Sequence, residues 1–69
     1  MTDKTFKVPD MTCAHCKAAV EGELNGLSGV ESSNADVEKG TVVVRYDEAE
    51  VSTEQLKLAI EEAGYAVVA

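Results

Sequence analysis

Glu38-Lys39-Gly40-Thr41-Val42-Val43-Val44-Arg45-Tyr46 is the stretch on which the fold turns. From Thr41 to Tyr46 the residues are β-branched or aromatic almost throughout, and such side chains fit a pleated, half-buried surface. The segment therefore predicts a strand. Glu38-Lys39-Gly40 supplies the glycine that a tight reversal needs. A preceding strand is expected over Val30 to Val37, although Ser32, Ser33 and Asn34 dilute its strand character.

Outward from this hairpin, each side repeats the same pattern. Upstream, apolar residues recur from Cys16 at Ala19, Val20, Leu24 and Leu27, spacings of three and four that mark one face of a helix. Lys17, Glu21 and Glu23 fall to water, and Gly26 and Gly29 stop the helix. Before it, Lys4-Thr5-Phe6-Lys7-Val8 alternates like a half-buried strand and ends at Pro9 and Asp10. Downstream, an acidic loop holds Asp47, Glu48 and Glu50. A second helix opens at Ser52, with Gln55 at capping-box spacing. Leu56, Ala59, Ile60 and Ala63 form its stripe, Gly64 caps its end, and Tyr65 to Ala69 reads as a last strand. The order is β-α-β-β-α-β, two βαβ halves joined by the hairpin. Right-handed crossovers predict a ferredoxin-like α+β sandwich: a four-stranded antiparallel sheet with both helices on one face. A single domain over 1–69 is expected.

The chain has 69 residues, near the lower limit for folding alone. Apolar residues at 45% and charged residues at 28% make a globular composition. Six basic residues against 13 acidic ones give a net charge of −7. That balance argues against nucleic-acid binding, which needs clustered Lys and Arg. The longest apolar run, Tyr65 to Ala69, falls far short of the ~20 residues of a membrane span. Met1-Thr2-Asp3-Lys4 leads into no apolar stretch of the secretory kind. A soluble cytoplasmic protein without membrane insertion is expected.

Cys13 and Cys16 are the only cysteines, three residues apart. A disulfide between them would close a tiny loop and constrain the unfolded chain very little. The pair thus has a chemical rather than a stapling role. It sits in Met11-Thr12-Cys13-Ala14-His15-Cys16, at the join of the first strand and the first helix. Cys13 falls in the loop or at the helix start and Cys16 in the first turn, so both sulfurs can meet one ion. A helix N-terminus favours anions, and thiolate is the form that binds metal. Two thiolates suit Cu(I), a soft ion that accepts few sulfur ligands. A dithiol redox centre of the thioredoxin kind also begins a helix with CxxC, although neither the topology nor a neighbouring Trp or Pro supports it here. Structural zinc wants four ligands, more than two cysteines and one histidine provide. His15 is an exposed bystander or else a third ligand. Met11 is a core filler or a thioether ligand. Asp10 is a turn residue or a metal contact.

Val8-Pro9-Asp10-Met11-Thr12-Cys13-Ala14-His15-Cys16, the βαββαβ order and the late Gly64-Tyr65 together resemble the heavy-metal-associated domain family, in particular its small bacterial copper chaperones. The resemblance covers essentially the whole chain. It implies a cytosolic, non-enzymatic carrier that binds Cu(I) through Cys13 and Cys16 and passes it to the matching domain of a copper-transporting P-type ATPase. A monomer is expected, whose exposed site can also recruit a second molecule's cysteines into a copper-bridged dimer. Members commonly carry glycine just before Met-Thr-Cys. Asp10 stands here instead, and a carboxylate at that place leans toward a harder ion such as Zn(II). Carriage of Zn(II) or Hg(II), and dithiol oxidoreduction, are the alternatives. Bacterial members similarly carry tyrosine after the cap glycine, so Tyr65 either shields the thiolates or is a plain strand aromatic. Asp47, Glu48, Glu50 and Glu54 read as a solvated edge, and transient docking predicts a partner face less acidic than this domain.

Overall fold

The β2–β3 reversal is built from two local devices. Asp36 accepts hydrogen bonds through Oδ1 from the amides of Glu38 and Lys39, at 3.0 and 3.2 Å. Gly40 then turns the chain with φ +65°. The structure, a computed structural model, describes residues 1–68. Its elements are β1 (Thr2–Lys7), α1 (Ala14–Asn25), β2 (Val30–Asp36), β3 (Thr41–Tyr46) and α2 (Thr53–Glu62).

The strand read first, β3, lies at the centre of an antiparallel sheet of order β1-β3-β2. Val42 pairs with Phe6 on one side and with Ala35 on the other. Val42, Val44 and Tyr46 are buried while Val43 and Arg45 face solvent, the two-residue period of a sheet with one wet face. β1 begins at Thr2 rather than Lys4, because β3 runs on to Tyr46 and Tyr46 pairs with Thr2. Val8, expected at the end of β1, lies just past it. Its amide donates instead to the Gly40 carbonyl, at 2.7 Å.

Helix α1 buries Cys16, Val20 and Leu24, a stripe with a four-residue step. Ala19 is exposed, contrary to the expected face, because one residue ahead of Val20 is about 100° around the helix. Leu27 is only partly buried. Helix α2 opens with a reciprocal capping box: the Gln55 amide donates to Ser52 Oγ at 3.3 Å and the Ser52 amide to Gln55 Oε1 at 3.0 Å. It buries Leu56, Ala59 and Ile60. These side chains meet Phe6, Ala35, Val42, Val44 and Tyr46 in one core between the helix pair and the sheet. Among the described residues no buried side chain is polar or charged. Each buried Val, Leu, Ile or Met contributes roughly 1.5–3 kcal/mol relative to exposure, so the core rather than a crosslink holds the domain. No helix among the described residues is long and apolar enough to cross a membrane.

The described sheet has three strands rather than four. From Tyr65 to Val68 the chain forms no ladder. One bond, from the Val68 amide to the Lys7 carbonyl at 2.9 Å, lays it beside the outer edge of β1. The Tyr65 amide is still tied to the end of α2, so among the described residues Ala66 to Val68 are those free to reach β1. Ala69, the last residue of the expected strand, lies outside the described residues.

Candidate metal centre

Beyond β1 the chain folds over the end of the core. The Met11 amide donates to the Val8 carbonyl at 3.1 Å, and Met11 is wholly buried beneath the loop. Thr12 is exposed and Cys13 is the N-cap of α1, with extended backbone (φ −145°, ψ 169°). Its carbonyl accepts from the Lys17 amide at 3.1 Å, which starts the helix. N-caps favour Ser, Thr, Asp or Asn because their side-chain oxygens satisfy the first amides of the helix. Cysteine offers no such oxygen, and α1 has neither a side-chain cap bond nor an acidic residue in its first turn. The positive end of the helix is thus left to sulfur.

The two sulfurs lie 3.0 Å apart. Cys13 is exposed, whereas Cys16 keeps 8% of its surface. Hydrogen bonding to the Cys13 side chain, then to the Tyr65 hydroxyl, then to the Thr12 backbone brings the Cys16 thiol down from its ordinary 9.0 to about 6, outweighing the opposite pull of burial. The same contact acts in reverse on Tyr65. Its bond to Cys16, followed by burial and by the charge of the two sulfurs, raises the phenol above its ordinary range.

Tyr65 reaches this position through the end of α2. Gly64 has φ +100°, and its amide donates to the Glu61 carbonyl at 2.9 Å. The Tyr65 amide donates to the Ile60 carbonyl at 3.4 Å. These two bonds make a Schellman motif, which reverses the chain and turns the ring back over the core. Two ends of the fold converge here: the start of α1 with its sulfurs, and the end of α2 with its phenol.

The structure thus brings Cys13, Cys16 and Tyr65 together. His15 and Asp10 are exposed, and no group of three or more His, Cys, Asp or Glu that could hold a metal forms among the described residues. Met11 is core. The backbone of Thr12 and Cys13, which also steadies the Cys16 thiolate, was not singled out from sequence. Its signal was a cysteine standing where a helix ordinarily has an oxygen-bearing cap. Two adjacent sulfurs, one poised as thiolate and one open to solvent, can take a soft ion from one side and release it from the same side.

Residues 5–66 match the heavy-metal-associated domain family. The copper chaperone CopZ of Staphylococcus aureus (strain JH9) is 46% identical over 68 residues, which are 99% of this chain and 100% of that protein. Among solved structures, a CopZ metallochaperone superposes with a TM-score of 0.94 at 45% identity, covering 97% of this chain and 100% of that one. The Cu(I)-loaded N-terminal domain of a potential copper-translocating P-type ATPase from Bacillus subtilis superposes with a TM-score of 0.88 at 34% identity, over 94% and 81% of the two chains. A family match over most of the chain and a relative aligned along its whole length agree with the fold and with the cysteine-bearing loop: the chain belongs to the heavy-metal-associated domain family.

Proposed function

We propose that this chain is a cytosolic copper chaperone, a single carrier domain that binds Cu(I) through Cys13 and Cys16. The observation that carries this reading is the sulfur pair, 3.0 Å apart at a helix N-terminus, with one member buried and the other exposed. Soft thiolates select Cu(I), and two of them leave a coordination position open. Transfer is ligand exchange rather than catalysis. A cysteine of the acceptor enters beside Cys13, the exposed sulfur, and the ion passes through shared three-sulfur states without release to water. Cys16, the buried sulfur, leaves last.

The acceptor on this reading is the metal-binding domain of a copper-transporting P-type ATPase. The solved ATPase domain described above has the same fold, and its name records a Cu(I)-loaded state. At excess copper the exposed side admits the cysteines of a second copy, which gives a copper-bridged dimer in place of the monomer.

The test is an anaerobic competition titration of the reduced chain for Cu(I) against a chromophoric chelator, with Zn(II) and Hg(II) run in parallel. Uptake of about one Cu(I) per chain, preferred over Zn(II) and lost in Cys16→Ser while the far-ultraviolet circular dichroism is kept, is the expected result. Weak Cu(I) uptake, or equal binding by Cys16→Ser, overturns it.

A further inference from the structure

The loop that carries the sulfurs is attached to the β2–β3 hairpin. We propose that the tip of the β2–β3 hairpin is the platform on which the metal loop is set, with Gly40 as its positioning residue. This deepens the carrier reading and rests on it for the identity of the cargo.

Three observations converge on this contact. The Val8 amide, the first after β1, donates to the Gly40 carbonyl at 2.7 Å, the shortest backbone bond outside the regular elements. Gly40 has φ +65°, a conformation that residues with a Cβ adopt at a cost. A Cβ at Gly40 would stand 3.3 Å from Pro9 Cα and 3.5 Å from the Val8 carbonyl oxygen. Both neighbours are backbone atoms, and neither can swing aside as a side chain would.

From this contact a stiff path runs to the sulfurs. Pro9 has a fixed φ and cannot absorb a displacement at that angle. The Val8 carbonyl holds the Met11 amide, and Met11 is wholly buried in the core. Thr12 and Cys13 follow at once, and Cys13 is both a sulfur of the pair and the N-cap from which α1 starts. A push of a few tenths of an ångström at Pro9 therefore shifts the loop backbone that sets Cys13 against Cys16, while both ligands and Tyr65 keep their identity. Gly40 itself touches no sulfur.

Gly29 provides the control. It too has a positive φ, +97°, and a Cβ there would stand 2.7 Å from Glu50 Cβ. It lies past the far end of α1, where its carbonyl accepts from the Asp47 amide. Gly29→Ala strains the fold without touching the loop.

The experiment compares Gly40→Ala, Gly40→Asn and Gly29→Ala with the unaltered chain, all reduced and anaerobic. Two readouts are taken at a temperature where circular dichroism shows each variant folded: Cu(I) affinity by chelator competition, and hydrogen exchange at the Val8 and Met11 amides. Asparagine tolerates positive φ better than alanine, so Gly40→Asn keeps the added Cβ with less backbone strain and carries the test if Gly40→Ala does not fold. Both Gly40 variants are expected to lose about tenfold in Cu(I) affinity, the scale seen when supports behind metal ligands are altered. They are also expected to exchange Val8 and Met11 faster, while Gly29→Ala matches the unaltered chain in both. Unchanged affinity in the Gly40 variants, or an equal loss in Gly29→Ala, overturns the proposal. If the unaltered chain takes no Cu(I), the carrier reading fails. The exchange rates then decide the platform alone, and equal rates at Val8 and Met11 in the Gly40 and Gly29 variants overturn it.

Discussion

At Cys16 the fold and the proton are linked. Its thiol titrates at about 6 in the folded chain, against 9.0 for an ordinary cysteine. Between these values the folded chain has shed a proton that the unfolded chain keeps, so stability rises with pH across that interval. The contribution is full above the ordinary value and gone below the folded one. Thermal melts of the reduced, metal-free chain should show its advantage over Cys16→Ser growing from pH 6 to pH 9. A constant difference would mean that the sulfur contributes by packing alone. The Cys-x-x-Cys spacing made both sulfurs legible in the sequence, because residues three apart on a helix share a side. It could not show that Met11 turns inward or that His15 is exposed. Those outcomes depend on the loop path from Val8 to Cys13, which tertiary contact with Gly40 sets. The role of Tyr65 was left between two readings, since an influence between residues 49 apart in sequence has no local signature.

Among the elements, β3 and α2 were legible for reasons internal to their own segments. A run of β-branched residues and a complete capping box need no distant partner to declare themselves. The face of α1 was read less well. Ala19 fits a three-and-four spacing as well as Cys16 does, and only docking on β2 and α2 decides which of them is covered. The last strand is not seen among the described residues. Tyr65 to Ala69 has strand composition, yet its first residue is held by the Schellman bonds, and among the described residues one bond to β1 follows, from Val68. That motif gives a prediction at this scale. At Gly64 a Cβ meets nothing within 4 Å, so Gly64→Ala is strained only by its φ of +100°. It should cost about 1–2 kcal/mol in a denaturant melt, the penalty for left-handed backbone. It should also raise the Cys16 thiol toward 9.0 as Tyr65 shifts, read from thiolate absorbance against pH. A stability loss with an unmoved thiol would separate the turn from the site.

The whole molecule carries a net charge of −7, and this should govern how it meets its acceptor. Charge complementarity accelerates encounter more than it tightens the complex, and salt screens it over about 10 Å at 0.1 M. With a less acidic acceptor face, the rate of Cu(I) transfer by stopped flow should fall as salt rises, while the final partition of the ion changes little. A rate indifferent to ionic strength would remove steering from the account. The core has a consequence of another kind. Its described members are apolar, and of the two sulfurs only Cys16 touches it. Zinc fingers recruit their ion to fold and therefore cannot give it up and survive. Here shape and cargo are separate accounts: a strong Cu(I) chelator should strip the loaded chain with no change in far-ultraviolet circular dichroism. On the carrier reading the emptied chain is then at once ready for the next ion, a vessel whose walls do not depend on what it holds.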